Sequence, residues 1–329
     1  MTKVSELYVS VHLSGGPEMR IDVHAHLWSE SYLDLMTELG VPTQAQRGLG
    51  AGSADQELAD RFAQLDAAGV DRQVLSVTPV SPHLADEAAA VRAARLVNDE
   101  YAGIVAKHPE RFRAFAALPL PHVDASLKEL TRALDDLGMV GAAVTTSVLG
   151  RGLGDPLFDP LYEELDRRGS VLYVHPAGEG AGAELIAGHN LTWSIGAPIE
   201  DTVAIMHLIL AGIPSRHPDL KIIVSHLGGA LPMLLNRTDH QVPWEAPGTP
   251  ELPSVAAGRM WFDTVGHDHA PALRAAVDTF GADRLVLGTD FPYQAKEEYQ
   301  EAIDYVTKTV TAEQATAILD TNAQAIFGF

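Results

Sequence analysis

Two histidines separated by one residue are the first side chains in this sequence whose types and spacing could do chemistry. The segment MRIDVHAHLW contains His24 and His26, which alternate with apolar residues. Alternation with a period of two is typical of a β-strand that has one apolar face and one polar face. Both imidazoles would therefore project from the same face, where they could bind a metal ion or transfer protons.

The spacing alone does not establish a site, because an ordinary exposed strand could carry the same pair. A second pair, His267 and His269, occurs in the polar segment GHDHAP, which ends in a proline. Polar residues followed by proline are typical of loops, so we expect a surface loop there. Other residues of the chain are therefore needed to show whether His24 and His26 form a site or belong to an exposed strand.

Three further titratable residues follow apolar runs. His175 lies at the end of the run in VLYVHP, His226 at the end of KIIVSH, and Asp290 after the run in RLVLGTDFP. Taken singly, each is explained by a hydrogen-bonded packing histidine or by a turn-forming aspartate. Together with the histidine pair they favour a shared site, provided that the fold brings the ends of these runs together.

Apolar runs and helical patterns alternate eight times along the chain, which predicts an α/β fold with a parallel sheet. Eight repeats of strand and helix are the count of a (β/α)8 TIM barrel, whose active sites lie at the C-terminal ends of the strands. All five titratable residues would then face one mouth, with a ligand set that suits zinc, manganese or iron. The strand candidates are residues 20–25, 70–77, 112–118, 139–145, 171–175, 220–226, 259–264 and 284–289.

The chain is longer than the barrel needs, so we expect a distorted barrel with loop insertions. A TIM barrel typically has about 250 residues, and this chain has 329. Two stretches rich in small residues, 40–56 and 177–195, are the insertion candidates, and both should lie on the same side of the barrel. The domain should cover residues 19–329, preceded by a leader over residues 1–18.

Composition excludes several classes of function. The net charge of −21 and the pI of about 4.9 argue against nucleic acid or an anionic membrane surface as a partner, and favour a small-molecule substrate. No apolar run approaches the roughly 20 residues of a membrane span, and no signal peptide is evident. Cysteine is absent, so any metal ion must be bound by His, Asp or Glu, and a reducing cytoplasm is the expected location.

Four motifs, DVHAH, YVHP, SHLGGALP and GTDFPY, resemble in order and spacing those of the amidohydrolase superfamily. They are most similar to the branch that contains aminocarboxymuconate semialdehyde decarboxylase and the hydroxybenzoate decarboxylases. The resemblance covers about residues 19–329, including the ending TNAQAIFGF. It implies an acid/base role for His226, assisted by Asp290, and one divalent metal ion, zinc before manganese, held by His24, His26, His175 and Asp290.

The end of the fourth strand candidate supports a single metal ion. Binuclear members of the superfamily carry a carbamylated lysine there, which bridges two metals. The segment GMVGAAVTTSV offers only Thr145, Thr146 and Ser147 at that place. His226 would then be free to transfer protons instead of binding a second ion.

The resemblance implies non-oxidative decarboxylation of a small hydroxylated aromatic or conjugated carboxylic acid. An alternative keeps the same site but uses metal-bound hydroxide to hydrolyse a lactone, an ester or an amide, with His226 or Asp290 as the base. A third interpretation is a barrel that has lost catalysis and serves as a binding or assembly protein. Intact candidate ligands argue against this third interpretation.

Three residues outside the strand ends are candidates for substrate binding by the same resemblance. Trp193, in NLTWSIGAP, would line the pocket, although ordinary core packing explains it as well. Arg47 lies in the first insertion, where surface arginines are also common. Arg237 would reach from one subunit into the neighbour's active site, which predicts a homodimer; a solvated arginine at a helix end is the alternative.

Overall fold

Eight strand positions follow one another around a barrel in the computed structural model, which describes residues 19–329. The third position is divided between two short strands, and one additional pair forms a separate antiparallel hairpin, β6 with β7. The strands are β1 (Ile21–His26), β2 (Arg72–Ser76), β3 (Phe112–Ala114), β4 (Ala116–Ala117), β5 (Gly141–Thr145), β6 (Ser147–Val148), β7 (Arg151–Gly152), β8 (Val171–His175), β9 (Lys221–Val224), β10 (Trp261–Asp263) and β11 (Leu285–Val286).

All barrel strands run parallel, in the orders β1-β2-β3 and β4-β5-β8-β9-β10-β11. The two sheets meet at the divided third position, where the Phe115 N–H donates to the carbonyl of Leu75. At the other seam, the Val23 N–H donates to Leu287 and the Asp290 N–H donates to the carbonyl of His24, both at 2.9 Å. The predicted (β/α)8 barrel is therefore present.

Helices surround the strands, and several begin at the capping residues that the sequence supplies. Asp86, for example, accepts a hydrogen bond from the Ala89 N–H at the start of α3. None of the helices in residues 19–329 combines the length and the apolar composition that a membrane crossing requires. The helices are α1 (Glu30–Glu38), α2 (Asp55–Ala68), α3 (Glu87–Lys107), α4 (Val123–Asp135), α5 (Asp159–Arg167), α6 (Glu184–Ala187), α7 (Ala197–Leu210), α8 (Ile213–Arg216), α9 (Leu231–Glu245), α10 (Pro253–Ala257), α11 (Ala270–Phe280), α12 (Glu297–Thr309), α13 (Ala312–Thr316) and α14 (Asn322–Phe327).

Strand β1 is buried along its entire length, which excludes the exposed-strand interpretation of His24 and His26. Its residues Ile21 and Val23 pack in one buried cluster with Tyr173 of β8, which stacks on Phe115. Tyr173 also contacts the ring of His24 edge-on at 5.6 Å. The buried apolar cluster thus supports the histidines directly.

Two predicted strands extend two or more residues too far at their C-terminal ends. The sixth candidate ends at Val224 instead of residue 226, and the eighth ends at Val286 instead of residue 289. The reason is a change in backbone direction, because His226 and Asp290 adopt positive φ angles of 53° and 61°. The chain leaves the regular strand geometry at the residues that carry the candidate chemistry.

Both predicted insertions lie on the same side of the barrel, because residues of each line one cavity. The first insertion, residues 40–56, contains a 3₁₀ turn at Gln44–Gln46, and the second, residues 177–195, contains short helical turns. The segment with His267 and His269 is exposed, as predicted for a surface loop. The predicted leader, residues 1–18, lies outside the described residues, so the domain boundary at residue 19 stays a prediction.

Candidate active site

Four side chains meet at the C-terminal mouth of the barrel: His24, His26, His175 and Asp290. We call them the metal group. All four are buried, and one potential ligand atom from each lies within 4.8 Å of the other three. Nε2 of His24 and Nε2 of His26 each lie 3.1 Å from Oδ1 of Asp290. The strands that the sequence predicted thus bring together the four residues that the resemblance named.

The other ring nitrogen of each histidine is held by the surrounding protein. Nδ1 of His24 lies 2.7 Å from Oδ2 of Asp263. Nδ1 of His175 donates to the carbonyl of Pro176 at 2.9 Å, and Nδ1 of His26 lies 3.2 Å from the hydroxyl of Ser76. Such contacts at Nδ1 leave the Nε2 lone pairs directed toward a common centre, which is the arrangement that metal-binding histidines require.

The pKa values of the metal-group side chains depend on their burial and on the carboxylates of Asp263 and Asp290. Burial lowers the pKa of His26 to about 4 and holds the pKa of His175 well below its ordinary value. Burial also lowers the pKa of His24, but Asp263 and Asp290 outweigh it and raise that pKa to about 9. Burial alone would raise the pKa of Asp290, yet its contacts with the histidines hold it well below the usual range.

The metal group fits a divalent cation. Three imidazole nitrogens and one carboxylate oxygen are a ligand set for zinc or manganese when thiolates are absent. Nε2 of His24 is buried, and within residues 19–329 its only polar contact of this kind is the other proposed ligand atom, Oδ1 of Asp290 at 3.1 Å, as expected of an atom that binds a metal ion. No second cluster of three or more potential ligands occurs in the described chain. The site therefore suits one metal ion.

His226 lies beside the metal group and is held by a carboxylate that the sequence analysis missed. Its Nδ1 is 2.8 Å from Oδ2 of Asp201 on α7, and its Nε2 is 3.9 Å from Oδ2 of Asp290. Burial lowers the pKa of His226, but Asp201 and Asp290 raise it well above the ordinary value. Burial raises the pKa of Asp201 itself to about 6. The pair can hold a proton at the edge of the metal group.

The backbone after β9 has to turn sharply to place His226. Gly229, at the end of this turn, has φ 65°, and a Cβ there would lie 2.0 Å from the carbonyl oxygen of Pro198. Only glycine allows so close an approach. The motif HLGG therefore lets the start of α7 pack against the turn, and α7 carries Asp201 to His226.

A cavity of about 660 Å³ opens in front of the metal group. Its wall includes His175, His226 and Asp290, together with Trp193 and Tyr293. Trp193 is 52% exposed and lies against the backbone at Gly178. Trp193 therefore lies at the cavity and not in the core, and its contact with a substrate stays a prediction.

The two arginine candidates do not line this cavity. Arg47 forms ion pairs with Glu30 and Asp34 of α1. Arg237 is exposed on α9, outside the site of its own chain. Their roles in substrate binding stay predictions.

The end of β5 carries hydroxyl groups with local partners. Thr145 Oγ1 donates to the carbonyl of Ser147 at 2.6 Å, and Thr146 Oγ1 donates to Glu200 at 2.8 Å. Ser147 Oγ donates to Glu179 at 2.6 Å. None of these side chains belongs to the metal group, in agreement with a site for one ion.

Glu200 anchors the start of the second insertion. Its buried carboxylate accepts hydrogen bonds from four consecutive backbone N–H groups, those of residues 177–180, at 2.5 to 3.1 Å. The same carboxylate accepts the Thr146 hydroxyl, so it joins the insertion to the end of β5. This clamp positions the segment against which Trp193 packs.

Sequence reasoning missed three residues that complete the site, and two of them had a usable signal. Asp263 is the next-to-last residue of the seventh strand candidate, so its place near a strand end was a usable signal. His83 lies a few residues beyond the second candidate and contacts Thr145 at 3.0 Å. Asp201 lies within a helix and has no comparable signal, because only packing brings it to His226.

Comparisons with known proteins are consistent with this site. The family model for amidohydrolases matches residues 21–329. A 2-amino-3-carboxymuconate-6-semialdehyde decarboxylase of Dictyostelium discoideum is 29% identical over 302 residues, which cover 85% of this chain and 83% of that protein. A gamma-resorcylate decarboxylase of a Rhizobium species is 33% identical over 287 residues, which cover 81% and 86%, respectively.

A solved structure has the same architecture. It is a dihydroxybenzoic acid decarboxylase of a Polaromonas species with bound manganese and the inhibitor 2-nitroresorcinol. The TM-score is 0.82 at 26% sequence identity, and the alignment covers 94% of this chain and 97% of that one. The two proteins therefore share the fold over almost the whole length of both chains.

Proposed function

The chain belongs to the amidohydrolase family, and from this membership we propose that it is a metal-dependent, non-oxidative decarboxylase. The proposed substrate is a small hydroxylated aromatic or conjugated carboxylic acid. The observation that carries the proposal is the position of His226, which lies beside the metal group and on the wall of the cavity. A proton donor next to a cation site is what replacement of a carboxylate by hydrogen requires.

In this reaction the bond between a ring carbon and the carboxylate breaks, and a carbon–hydrogen bond replaces it. A divalent cation bound by the metal group supplies positive charge that holds the anionic carboxylate. Nε2 of His226 gives its proton to the ring carbon, and the electrons of the broken bond neutralise the added charge as carbon dioxide leaves. Asp201 keeps Nδ1 of His226 occupied, and Asp290 assists as the carboxylate nearest Nε2.

A substrate panel tests the proposal. Metal-loaded protein should release carbon dioxide from at least one hydroxybenzoic or conjugated acid. His226→Ala should retain the metal ion but lose turnover, whereas His24→Ala should lose both. His108→Ala, at the end of α3 and away from the cavity, is the control. Cleavage of lactones, esters or amides without release of carbon dioxide would replace the proposal by the hydrolase alternative.

The proposed cofactor is one divalent ion per chain, with zinc as the first candidate and manganese as the second. The ligand set suits both ions, and the Polaromonas decarboxylase contains manganese. Elemental analysis of protein purified without added metal should give about one equivalent. Two equivalents would mean that His226 also binds metal.

We further propose that the protein is a cytoplasmic homodimer in which Arg237 of each chain reaches the other chain's cavity. Support comes from α9, where Met233 and Trp244 are exposed by 79% and 67% on the helix that carries Arg237. Exposed apolar side chains of this size favour an interface. A planar guanidinium can hold a carboxylate by two hydrogen bonds. Trp193 would contact the ring of the same substrate, and Arg47 stays a weaker candidate.

Mixing two impaired variants tests the dimer. Arg237→Ala should weaken substrate binding and retain metal, and His24→Ala should lose metal. A mixed dimer contains one site in which the metal group and the arginine are both intact. Recovery of activity on subunit exchange is the expected result; a fully active monomer, or exchange without recovery, excludes the arrangement.

A further inference from the structure

A second cavity, of about 620 Å³, lies beside the first and takes no part in the chemistry described above. Its wall includes Gln46 from the first insertion, Glu179 from the second, and Thr145 at the end of β5. Trp193 lines both cavities. Because Thr145 pairs with His175 in the sheet, the second cavity adjoins the metal group on the side opposite His226.

His83 presents an unused hydrogen-bond acceptor in this cavity. Its Nδ1 lies 3.0 Å from Oγ1 of Thr145. That hydroxyl already donates its hydrogen to the carbonyl of Ser147 at 2.6 Å, so it accepts from Nδ1–H of His83. Nε2 of His83 is therefore unprotonated, and it is buried without a hydrogen-bond partner in the described residues. Burial lowers the pKa of His83 to about 3, which keeps the ring neutral.

Two more polar atoms on the same cavity wall are also buried and lack a hydrogen-bond partner in the described residues. The Gln46 side chain donates through Nε2 to the Tyr293 hydroxyl at 3.3 Å, which leaves Oε1 as an acceptor. Oε1 of Gln46 and Oγ of Ser81 are buried, and neither has a partner within residues 19–329. Nine such side-chain atoms occur in the described chain, and three of them belong to this one wall. Buried polar groups are rarely left unpaired, so the concentration points to a ligand.

The charge of the wall indicates the kind of ligand. Lysine and arginine are absent from its lining residues, and Glu179 contributes a carboxylate. A carboxylate or phosphate would therefore find no cation here. Two acceptors that lack donors suit a neutral O–H group, as in a phenol.

We propose that the second cavity is a subsite for a neutral, hydroxyl-bearing part of the ligand, whose O–H groups donate to Nε2 of His83 and Oε1 of Gln46. As a statement about substrate it rests on the proposed decarboxylase function, since the carboxylate end would then bind at the metal group. Tyr293 links the two regions, because it lines the first cavity and accepts from Gln46.

Two probes that differ only in hydrogen-bond donors test the subsite. Resorcinol has two O–H groups, and 1,3-dimethoxybenzene keeps the ring and both oxygens but has no donor. Calorimetric titration of the metal-loaded protein should show that resorcinol binds about 100-fold more tightly than its ether, about tenfold for each of the two buried hydrogen bonds. His83→Phe keeps a ring but removes one acceptor, and it should reduce the ratio to about tenfold. Gln46→Met, of similar shape, should reduce the ratio in the same direction.

The matched control is His108→Phe, which makes the same replacement outside both cavities and should preserve the wild-type ratio. If His83→Phe fails to fold, the binding ratios of Gln46→Met and Ser81→Ala test the subsite instead. The subsite is overturned if the folded variants keep the wild-type binding ratio, or if resorcinol does not bind to the wild-type protein. The unpaired atoms of the wall would then be hydrogen-bonded to water.

The same probes separate this proposal from the proposed function, because resorcinol has no carboxylate to lose. If His83→Phe reduces the binding ratio of resorcinol to its ether but no acid releases carbon dioxide, the subsite is supported and the decarboxylase is rejected. If carbon dioxide is released and neither His83→Phe nor Gln46→Met changes the binding ratio, the decarboxylase is supported and the subsite is rejected. If both proposals hold, Gln46→Met should raise KM for hydroxylated acids more than it lowers kcat.

Discussion

Two buried carboxylates hold the histidines of this site at the residue scale. Asp263 contacts Nδ1 of His24 and also accepts the backbone N–H groups of His226 and Val265, so it joins a metal-group residue to the turn that carries the proton donor. Asp201 holds Nδ1 of His226. In each case the carboxylate acts through an imidazole and not on the substrate.

Asp201→Asn tests this arrangement, because the amide keeps the shape of the carboxylate and loses its charge. We expect kcat to fall on the order of 10²-fold, the scale of general acid catalysis, since the charged imidazole is no longer stabilised. KM and the metal content should change little. Asp278→Asn, on the exposed face of α11, is the control. An unchanged kcat would mean that His226 is held adequately without Asp201.

His83 gives a prediction for stability at low pH. Its pKa is about 3 in the folded protein, against 6.5 for an unperturbed histidine. The unfolded chain therefore binds the extra proton between these values, so stability is complete above pH 6.5 and is lost as the pH falls toward 3. This one group contributes a slope of up to about 1.4 kcal/mol per pH unit. Chemical unfolding of the wild type and of His83→Phe at several pH values should show a shallower slope in the variant, because other buried histidines with lowered pKa values, such as His26, contribute to the slope in both proteins.

At the scale of elements, the strand ends and the insertions have separate tasks. Strands β1 and β8 and the segment after β11 carry the metal group, whereas both insertions line the second cavity and Trp193 of the second insertion also lines the first. Glu200 connects these parts, because it binds the backbone of residues 177–180 and the hydroxyl of Thr146 after β5. Because the buried carboxylate of Glu200 accepts five hydrogen bonds, it is the main attachment of the second insertion to the barrel.

Glu200→Gln should loosen the insertion without disturbing the metal group. The amide presents an N–H₂ group to backbone N–H donors, so at least two hydrogen bonds are lost. Amide hydrogen exchange at residues 177–180 should accelerate, and KM should rise while metal content stays near one equivalent. Glu298→Gln, on the exposed side of α12, is a matched control. Unchanged exchange at these four amides would show that the clamp is not needed.

The sequence could predict those parts of the site that depend on strand order. His175 and Asp290 were found because each follows an apolar run, and parallel strands in a barrel bring such ends together. Asp201 could not be found in this way, because its contact with His226 depends on how α7 packs against the turn at Gly229. The ion pairs of Arg47 were likewise beyond prediction, since they depend on the path of an insertion with no regular pattern.

At the scale of the whole molecule, the metal group lies across the seam that closes the barrel. His24 and His26 belong to the first strand and Asp290 follows the last, and the backbone of Asp290 donates to the carbonyl of His24. A cation bound there would connect the two ends of the described barrel. Because metal binds the native state and not the unfolded chain, it should also raise stability.

Removal of the metal ion should therefore lower Tm. At a free metal concentration of 100 times Kd the native state gains about 2.7 kcal/mol, and chelation should abolish that gain. Scanning calorimetry with and without a chelator measures the shift, and hydrogen exchange should locate the loosening at β1 and β11. His24→Ala should show no further shift on chelation. Equal Tm values for the wild type in both conditions would contradict a structural contribution of the ion.

The Glu200 clamp also bears on how this protein can diverge over evolution. Its carboxylate accepts only main-chain N–H groups from residues 177–180, so it places few demands on the side chains there. Gly178 and Gly180 are exceptions, because both have positive φ angles, and a Cβ would lie 2.8 Å from the ring of Trp193 at the first and 2.9 Å from the side chain of Ile186 at the second. The remaining positions can accept substitutions while the loop keeps its path. Descendants of this sequence can thus acquire new substrate preferences by point mutation, while the inherited catalytic residues and the fold stay the same.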